Sequence, residues 1–329
     1  MTPYGKIVGH QDIIEYIEKT AASDSPAHAY IFSGERGSGK KLLSNLFAMA
    51  LECSGDGRKP CMECHSCRQA KSGNHPDIIW IKHERPQSVG VDDIREQIVS
   101  DIEIRPYSSP YKIYIVDEAE KMTLQAQNAL LKTIEEPPSY GIIILLTTNA
   151  DILLPTVRSR CILLKLKNVK DSLIRKYLCD ELETDEDRAD ICTAFAQGNL
   201  GRAIMLAKSE YFNEIMHDAV HLLKYIKEME LYEIVDALKE IGKYKLEISD
   251  YLDIISIWYR DILLFKATND VNRLIFHDEV KYIREQAEKS SYEGIENILE
   301  ALDKAKTRLA ANVNFDTVME LLLWTIKEN

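Results

Sequence analysis

The chain has 329 residues, 45% hydrophobic and 29% charged, an ordinary balance for a globular protein long enough to hold two or three domains. A formal net charge of −12 argues against a free-standing nucleic-acid binder, whose affinity comes largely from phosphate neutralisation by Lys and Arg, so any DNA contact needs a local patch or a basic partner. No apolar run approaches the roughly 18 residues of a membrane helix, and Met1 to Asp12 shows no basic segment followed by an apolar one, so a cytoplasmic protein with no membrane partner is expected.

The first strand expected is Ala29-Tyr30-Ile31-Phe32, and it runs into Gly34 to Lys41, G-E-R-G-S-G-K-K, with a helix from Leu42 to Leu51 behind it. Strand, glycine-rich loop and helix in that order form a phosphate-binding P-loop. Gly34, Gly37 and Gly39 let backbone N–H groups cradle phosphates, and Lys40 neutralises them. A hydrolysing loop continues with Ser or Thr, whose hydroxyl holds Mg²⁺. Here Lys41 stands in that place, and an ammonium repels a metal instead of ligating it. The expected site is therefore a degenerate one that takes ATP or ADP weakly if at all; a glycine-rich turn with no ligand is the plainer alternative.

Four of the seven cysteines fall together, Cys53, Cys61, Cys64 and Cys67, the last three as C-x2-C-x2-C. In a cytosolic chain such a cluster points to metal before disulfide, and four thiolates close a tetrahedral Zn²⁺ shell with no position open for water. Gly55, Gly57 and Pro60 supply the turns. An iron–sulfur cluster or free thiols are the alternatives. His65 is surplus to a four-thiolate shell and is expected in solvent, while Cys161, Cys179 and Cys192 are expected as small core residues.

Beyond this module, apolar strands alternate with helical patterns, the signature of a parallel sheet covered on both faces. Ile78 to Ile81 is the second strand and Val91 to Asp101 a helix. Lys112 to Glu118 is a third strand, ending in Asp117 and Glu118, which in P-loop proteins orient the metal and activate water; a strand that merely stops at a polar helix cap is the plainer alternative. Leu124 to Ile134 is a helix stopped by Pro137 and Pro138. Ile142 to Thr147 is a strand followed by Thr148 and Asn149, a polar tip able to touch a γ-phosphate or simply to cap the next turn. Arg158 and Arg160 precede a fifth strand, Cys161 to Lys165.

Taken in order, G-E-R-G-S-G-K, the C-x7-C-x2-C-x2-C insertion, V-D-E-A-E, N-A-L-L-K-T-I-E-E-P-P, T-T-N and S-R-C resemble the clamp-loader subunits of bacterial DNA polymerase III, which belong to the AAA+ class. The resemblance runs strongly from Ile7 to about Ala207 and weakly beyond. It implies a five-stranded sheet in the order 5-1-4-3-2. It also implies three domains: residues 1–168, nucleotide-binding-like with the zinc module at 53–67; residues 169–208, a small helical lid with helices capped by Asp171 and Thr184; and residues 209–329, a helical collar with Trp258 and Trp324 on apolar faces. The fold class is thus α/β plus all-α.

The family's motor subunits, γ and τ, keep Ser or Thr after the P-loop Lys and open with an R-K-Y-R-P-like stretch; this chain has neither, which fits a rigid, non-motor member of the ring. The implied partners are motor (γ/τ) and δ subunits, the sliding clamp, and primed DNA inside the assembled ring. The implied role for Arg160 is an arginine finger acting in trans on a neighbour's ATP, with Arg158 as an ion-pair partner. The family's nucleotide-sensing arginine lies near Arg202, one residue out of register, and a solvated arginine is the equal alternative there. Two readings compete: an ATP-hydrolysing γ/τ-type motor or other AAA+ ATPase, favoured by Gly37, Gly39, Lys40, Asp117 and Glu118, and a zinc-containing adaptor outside replication.

Overall fold

A computed structural model describes residues 4–5, 7–23, 25–83 and 87–329. The chain forms two compact units, one of residues 1–174 with 197–202 and the other of residues 175–196 with 203–329.

The first unit is built on five parallel strands, β1 (Ala29–Ser33), β2 (Ile78–Trp80), β3 (Lys112–Val116), β4 (Gly141–Thr147) and β5 (Ile162–Lys165), in the order β2-β3-β4-β1-β5. This is the AAA+ order that the resemblance implies. Strand alternation sends side chains to two apolar layers. Tyr30 and Phe32 join the layer of α1 (Gln11–Ala22) and α2 (Lys40–Leu51), where the Phe47 ring meets Tyr30 edge-on at 4.8 Å. Ile31, Tyr114 and Ile143 face the other layer, formed with α4 (Val91–Ile94) and α5 (Leu124–Glu135). The short α3 (His65–Lys71) follows the cysteine loop, and Cys53 and Cys67 are part of the α2-side core, so that module is fused to the sheet.

Several expectations move. Strand β3 stops at Val116, which leaves Asp117 and Glu118 in the turn beyond it, and α2 begins at Lys40, so Lys40 and Lys41 are its first residues. The single helix expected from Val91 to Asp101 is instead α4 followed by a π-helical turn, Arg95–Val99. Strand β5 begins at Ile162, behind the short α6 (Pro155–Arg158), and Cys161 and Cys179 are half-buried while Cys192 is fully buried. Asp171 lies in the first turn of α7 (Asp171–Leu182), whose first hydrogen bonds go to the Lys170 carbonyl, so it supports the helix dipole without capping it. Similarly, α8 (Glu186–Ala196) starts two residues past Thr184, with Ala189 N–H on the Asp185 carbonyl.

The second unit is helical. Besides α8 and parts of α7 and α9 (Leu200–Lys208), it contains α10 (Glu210–Tyr225), α11 (Leu231–Ile241), α12 (Ile248–Thr268), α13 (Val280–Lys289), α14 (Tyr292–Ala310) and α15 (Phe315–Glu328). Trp258 on α12 is fully buried, its indole N–H donating to Gln286 at 3.0 Å, and the Gln286 amide donates in turn to the Leu223 carbonyl at 2.7 Å. Trp324 is only half-buried. The 269–279 stretch breaks the helical run with two short 3₁₀ turns.

Candidate nucleotide site and cysteine cluster

The P-loop leaves β1 at the sheet's switch point, where β1 lies between β4 and β5. Gly37 and Gly39 sit at φ +87° and +97°, a left-handed backbone that favours glycine. The Lys40 ammonium donates to the carbonyls of Gly34 at 2.5 Å and Glu35 at 2.8 Å, folding back over its own loop. Burial lowers its pKa, against the pull of Glu120 and Asp117.

Lys41 Nζ lies 2.6 Å from Asp117 Oδ2. The cation expected beside the phosphates is therefore a side chain held on the acid that would otherwise orient a metal. Its neighbour Glu118 is also engaged: with backbone φ at +48°, it pairs with Lys121 at 2.6 Å, and that hydrogen bond holds its carboxyl below the usual range. Glu120 accepts from the N–H and hydroxyl of Thr148 at 3.2 and 2.9 Å. The loop and its two lysines suit a phosphate group. They do not suit its metal, because the metal's position is already cationic and its acids are paired.

Sequence reasoning did not find the residues that brace the loop. His10 Nε2 donates to the Ser38 carbonyl at 3.2 Å, and burial lowers the pKa of this imidazole. Asn199 donates to the Arg36 carbonyl at 2.7 Å and accepts from the Arg202 N–H at 3.1 Å, capping α9 while holding the P-loop. Gly201 N–H reaches the Gly37 carbonyl at 3.2 Å, and a Cβ on Gly201 would lie 2.3 Å from that oxygen. The Asn-x-Gly pattern at a helix start was the available signal. Ser38 Oγ is buried without a hydrogen-bond partner among the described residues.

Asn149 Oδ1 accepts from the Asp151 N–H at 2.9 Å, so it caps the turn after β4. The two arginines divide the surface beyond it. Arg158 is paired with Asp151. Arg160 lies 2.8 Å from Glu135 and donates to the Thr156 carbonyl at 2.9 Å, with 40% of its side chain exposed.

The sulfurs of Cys53, Cys61, Cys64 and Cys67 all lie within 4.8 Å of one another. A tetrahedral thiolate shell with metal–sulfur bonds of about 2.3 Å needs spacings of about 3.8 Å, so the set fits one ion. Backbone N–H groups point at the sulfurs, Cys61 to Cys53 at 3.2 Å and Cys64 to Cys61 at 3.3 Å, which favours thiolate. Burial pushes the Cys53 and Cys67 thiols up, whereas the N–H groups of Cys64 and Glu63 pull Cys61 down. A divalent cation held by Cys53, Cys61, Cys64 and Cys67 would resolve that conflict by keeping all four deprotonated. A Cβ on Gly55 would sit 2.7 Å from Cys61 Sγ, so glycine is needed against the cluster. His65 is exposed, as expected.

Two family models, DNA polymerase III, delta subunit, over residues 9–170, and its C-terminal counterpart over residues 221–327, match the chain. The DNA polymerase III subunit delta' of Bacillus subtilis is 28% identical over 96% of this chain and 95% of its own length. The chain belongs to the clamp-loader family of DNA polymerase III subunits. Relatives named for other subunits are about as similar: subunit tau of the same bacterium is 28% identical over 91% of this chain and 57% of its own length, and subunit gamma of Buchnera aphidicola subsp. Schizaphis graminum 28% over 97% and 94%. Identity alone does not separate a delta' subunit from a tau or gamma subunit, so the distinction falls to the chemistry of residues 41, 117, 118 and 121. Among the described residues, no helix is long and apolar enough to cross a membrane.

Proposed function

We propose that this chain is the δ′-type subunit of a cytoplasmic clamp loader, a member of the ring that does not hydrolyse ATP. The observation that carries this reading is the Lys41–Asp117 pair at 2.6 Å. Hydrolysis by P-loop proteins needs a divalent cation bridging the phosphates and an acid that orients it. Here the acid is occupied by a fixed ammonium, and Glu118, the candidate water activator, is held by Lys121. Lys41 offers a metal no oxygen, and its charge stays beside the metal's position whether or not the exposed pair opens, so nucleotide binding is weak and largely metal-independent.

Arg160 supports the second half of the reading. It stands on the turn before β5, away from the chain's own loop, and its partner Glu135 is 45% exposed. Exposed pairs are worth about 0.2–1 kcal/mol, so a phosphate on an adjoining subunit can claim the guanidinium. In this reading Arg160 acts as a finger for a γ/τ motor, while the three parts 1–168, 169–208 and 209–329 serve as nucleotide-like domain, lid and collar. The cysteine cluster holds structural zinc that staples the 53–67 loop to the sheet. Partners are the motor and δ subunits, the sliding clamp and primed DNA. Reconstitution with motor and δ subunits, followed by clamp loading and ATPase measurements, tests it: no activity is expected from the pure chain, and activity of the ring depends on Arg160. Turnover by the pure chain at a motor's rate would overturn the reading.

A further inference from the structure

The helical unit holds a cavity of about 210 Å³ that the nucleotide chemistry leaves unused. It opens between α8, α10 and the segment 275–279. Ile191, Val220 and Phe276 give it an apolar floor, and that floor is fixed from below. Asp261 on α12, with no exposed surface, accepts the N–H groups of Ile275 at 2.6 Å and Phe276 at 3.0 Å, and the Phe276 ring lies 5.5 Å from that of Trp258. A segment pinned by a buried carboxylate and a buried indole is not free to collapse into the space above it.

The mouth is acidic. Asp187 and Asp278 both line it beside His217, His221 and His277, and among the described residues neither acid forms an ion pair with a Lys or Arg, because the nearby ones are engaged elsewhere. Arg175 holds Glu186 and Asp190, Arg188 donates to the carbonyls of Ala207 and Ser209, and Lys224 pairs with Glu279 at 2.5 Å. Partial burial, then the charges of Asp278 and Asp185, raise the Asp187 carboxyl above its usual range, and His277 pulls only weakly the other way. An apolar hole wide enough for about one large side chain, rimmed by carboxylates that no Lys or Arg pairs, is complementary to an apolar residue beside a basic one.

We infer that this cavity receives one large apolar side chain of a partner polypeptide, and that a Lys or Arg next to that side chain pairs with Asp187 and Asp278. The 329-residue chain is titrated into three fluorescein-labelled hexapeptides, followed by fluorescence anisotropy near neutral pH: Gly-Leu-Phe-Arg-Lys-Gly, its acidic analogue with Glu-Glu for Arg-Lys, and an analogue with Gly-Gly for Leu-Phe. Only the first is expected to bind. Asp187→Asn with Asp278→Asn weakens it about tenfold, the worth of two partly exposed ion pairs, and added salt does the same. Met216→Trp, which fills the mouth from a half-buried rim position, also weakens it while leaving the circular dichroism unchanged. No binding of the first peptide, equal binding of all three, or indifference to both variants overturns the inference. Because the free chain is used, none of these results bears on the clamp-loader reading.

Discussion

Lys41 Nζ and Asp117 Oδ2 stand 2.6 Å apart, joining the first turn of α2 to the end of β3 across the place where a P-loop protein holds its metal. The pair is partly exposed, with side-chain exposures of 68% and 24%, so its worth to stability is small and its consequence is chemical. It sets a fixed charge where an exchangeable one is required.

Lys41→Thr frees Asp117 and restores a hydroxyl. Binding of a fluorescent ATP analogue should then strengthen in Mg²⁺ and fall in EDTA, whereas the unaltered chain responds little to either. Hydrolysis should still be missing, because Lys121 keeps Glu118. The double variant Lys41→Thr with Lys121→Ala is the one in which slow turnover can emerge. Turnover by the single variant equal to that of the double would show that the Glu118–Lys121 pair is inconsequential.

Arg160 and Glu135 make a second prediction. In a reconstituted ring, Arg160→Ala should leave assembly intact and slow the adjoining site by a factor of about 10³ to 10⁵, the usual range for an arginine finger; Arg160→Lys should not restore it, since a single ammonium lacks the planar fork. Glu135→Gln, which only releases the guanidinium, should change ATPase by less than about threefold. Arg158→Ala should cost about 0.2–1 kcal/mol of stability and no activity.

The cysteine cluster predicts about one zinc per chain by elemental analysis under reducing, chelator-free conditions. Cys64→Ser should loosen the 53–67 loop without unfolding the sheet. Gly55→Ala is a finer probe: its Cβ meets Cys61 Sγ at 2.7 Å, so zinc should be lost to a chelator about tenfold more readily while every ligand remains. Substoichiometric zinc in the unaltered protein would count against the site.

His10 links pH to the loop. Its folded pKa is lowered by burial, so on acidification the unfolded chain takes up the proton first. Stability is therefore unaffected by this group above about pH 6.5 and falls progressively below it, because the half-buried ring must take on a charge that its desolvated position disfavours; the bond to Ser38 itself survives protonation. Asn at position 10 tolerates the left-handed backbone there, φ 55°, and cannot titrate. The Tm difference between neutral and mildly acidic buffer should shrink in His10→Asn; an unchanged difference would exclude His10 as its source.

Much of this was legible before any coordinates. The strand order followed from family motifs, and the C-x2-C-x2-C spacing located a cluster that the structure brings within 4.8 Å. What the chain hid was pairing across distance. Position 41 announces a misplaced ammonium, but its partner lies 76 residues further on, and only the adjacency of β1 and β3 to β4 brings them together. Asn199 and Gly201 look like an ordinary helix start, and their grip on Arg36 and Gly37 is tertiary. The apolar stripe Val91, Ile94 and Ile98 suits a plain helix; the π-helical turn at Arg95–Val99 is invisible to a pattern that one extra residue per turn barely disturbs.

The central claim is that this chain is silent in its own P-loop and active in a neighbour's. Clamp- and DNA-stimulated ATPase of two reconstituted rings, one carrying Lys40→Ala and one Arg160→Ala, tests it most directly, with assembly of each ring confirmed. The account predicts an ATPase close to the unaltered ring for Lys40→Ala and a marked loss for Arg160→Ala. Loss with Lys40→Ala and none with Arg160→Ala would contradict it and identify a working motor.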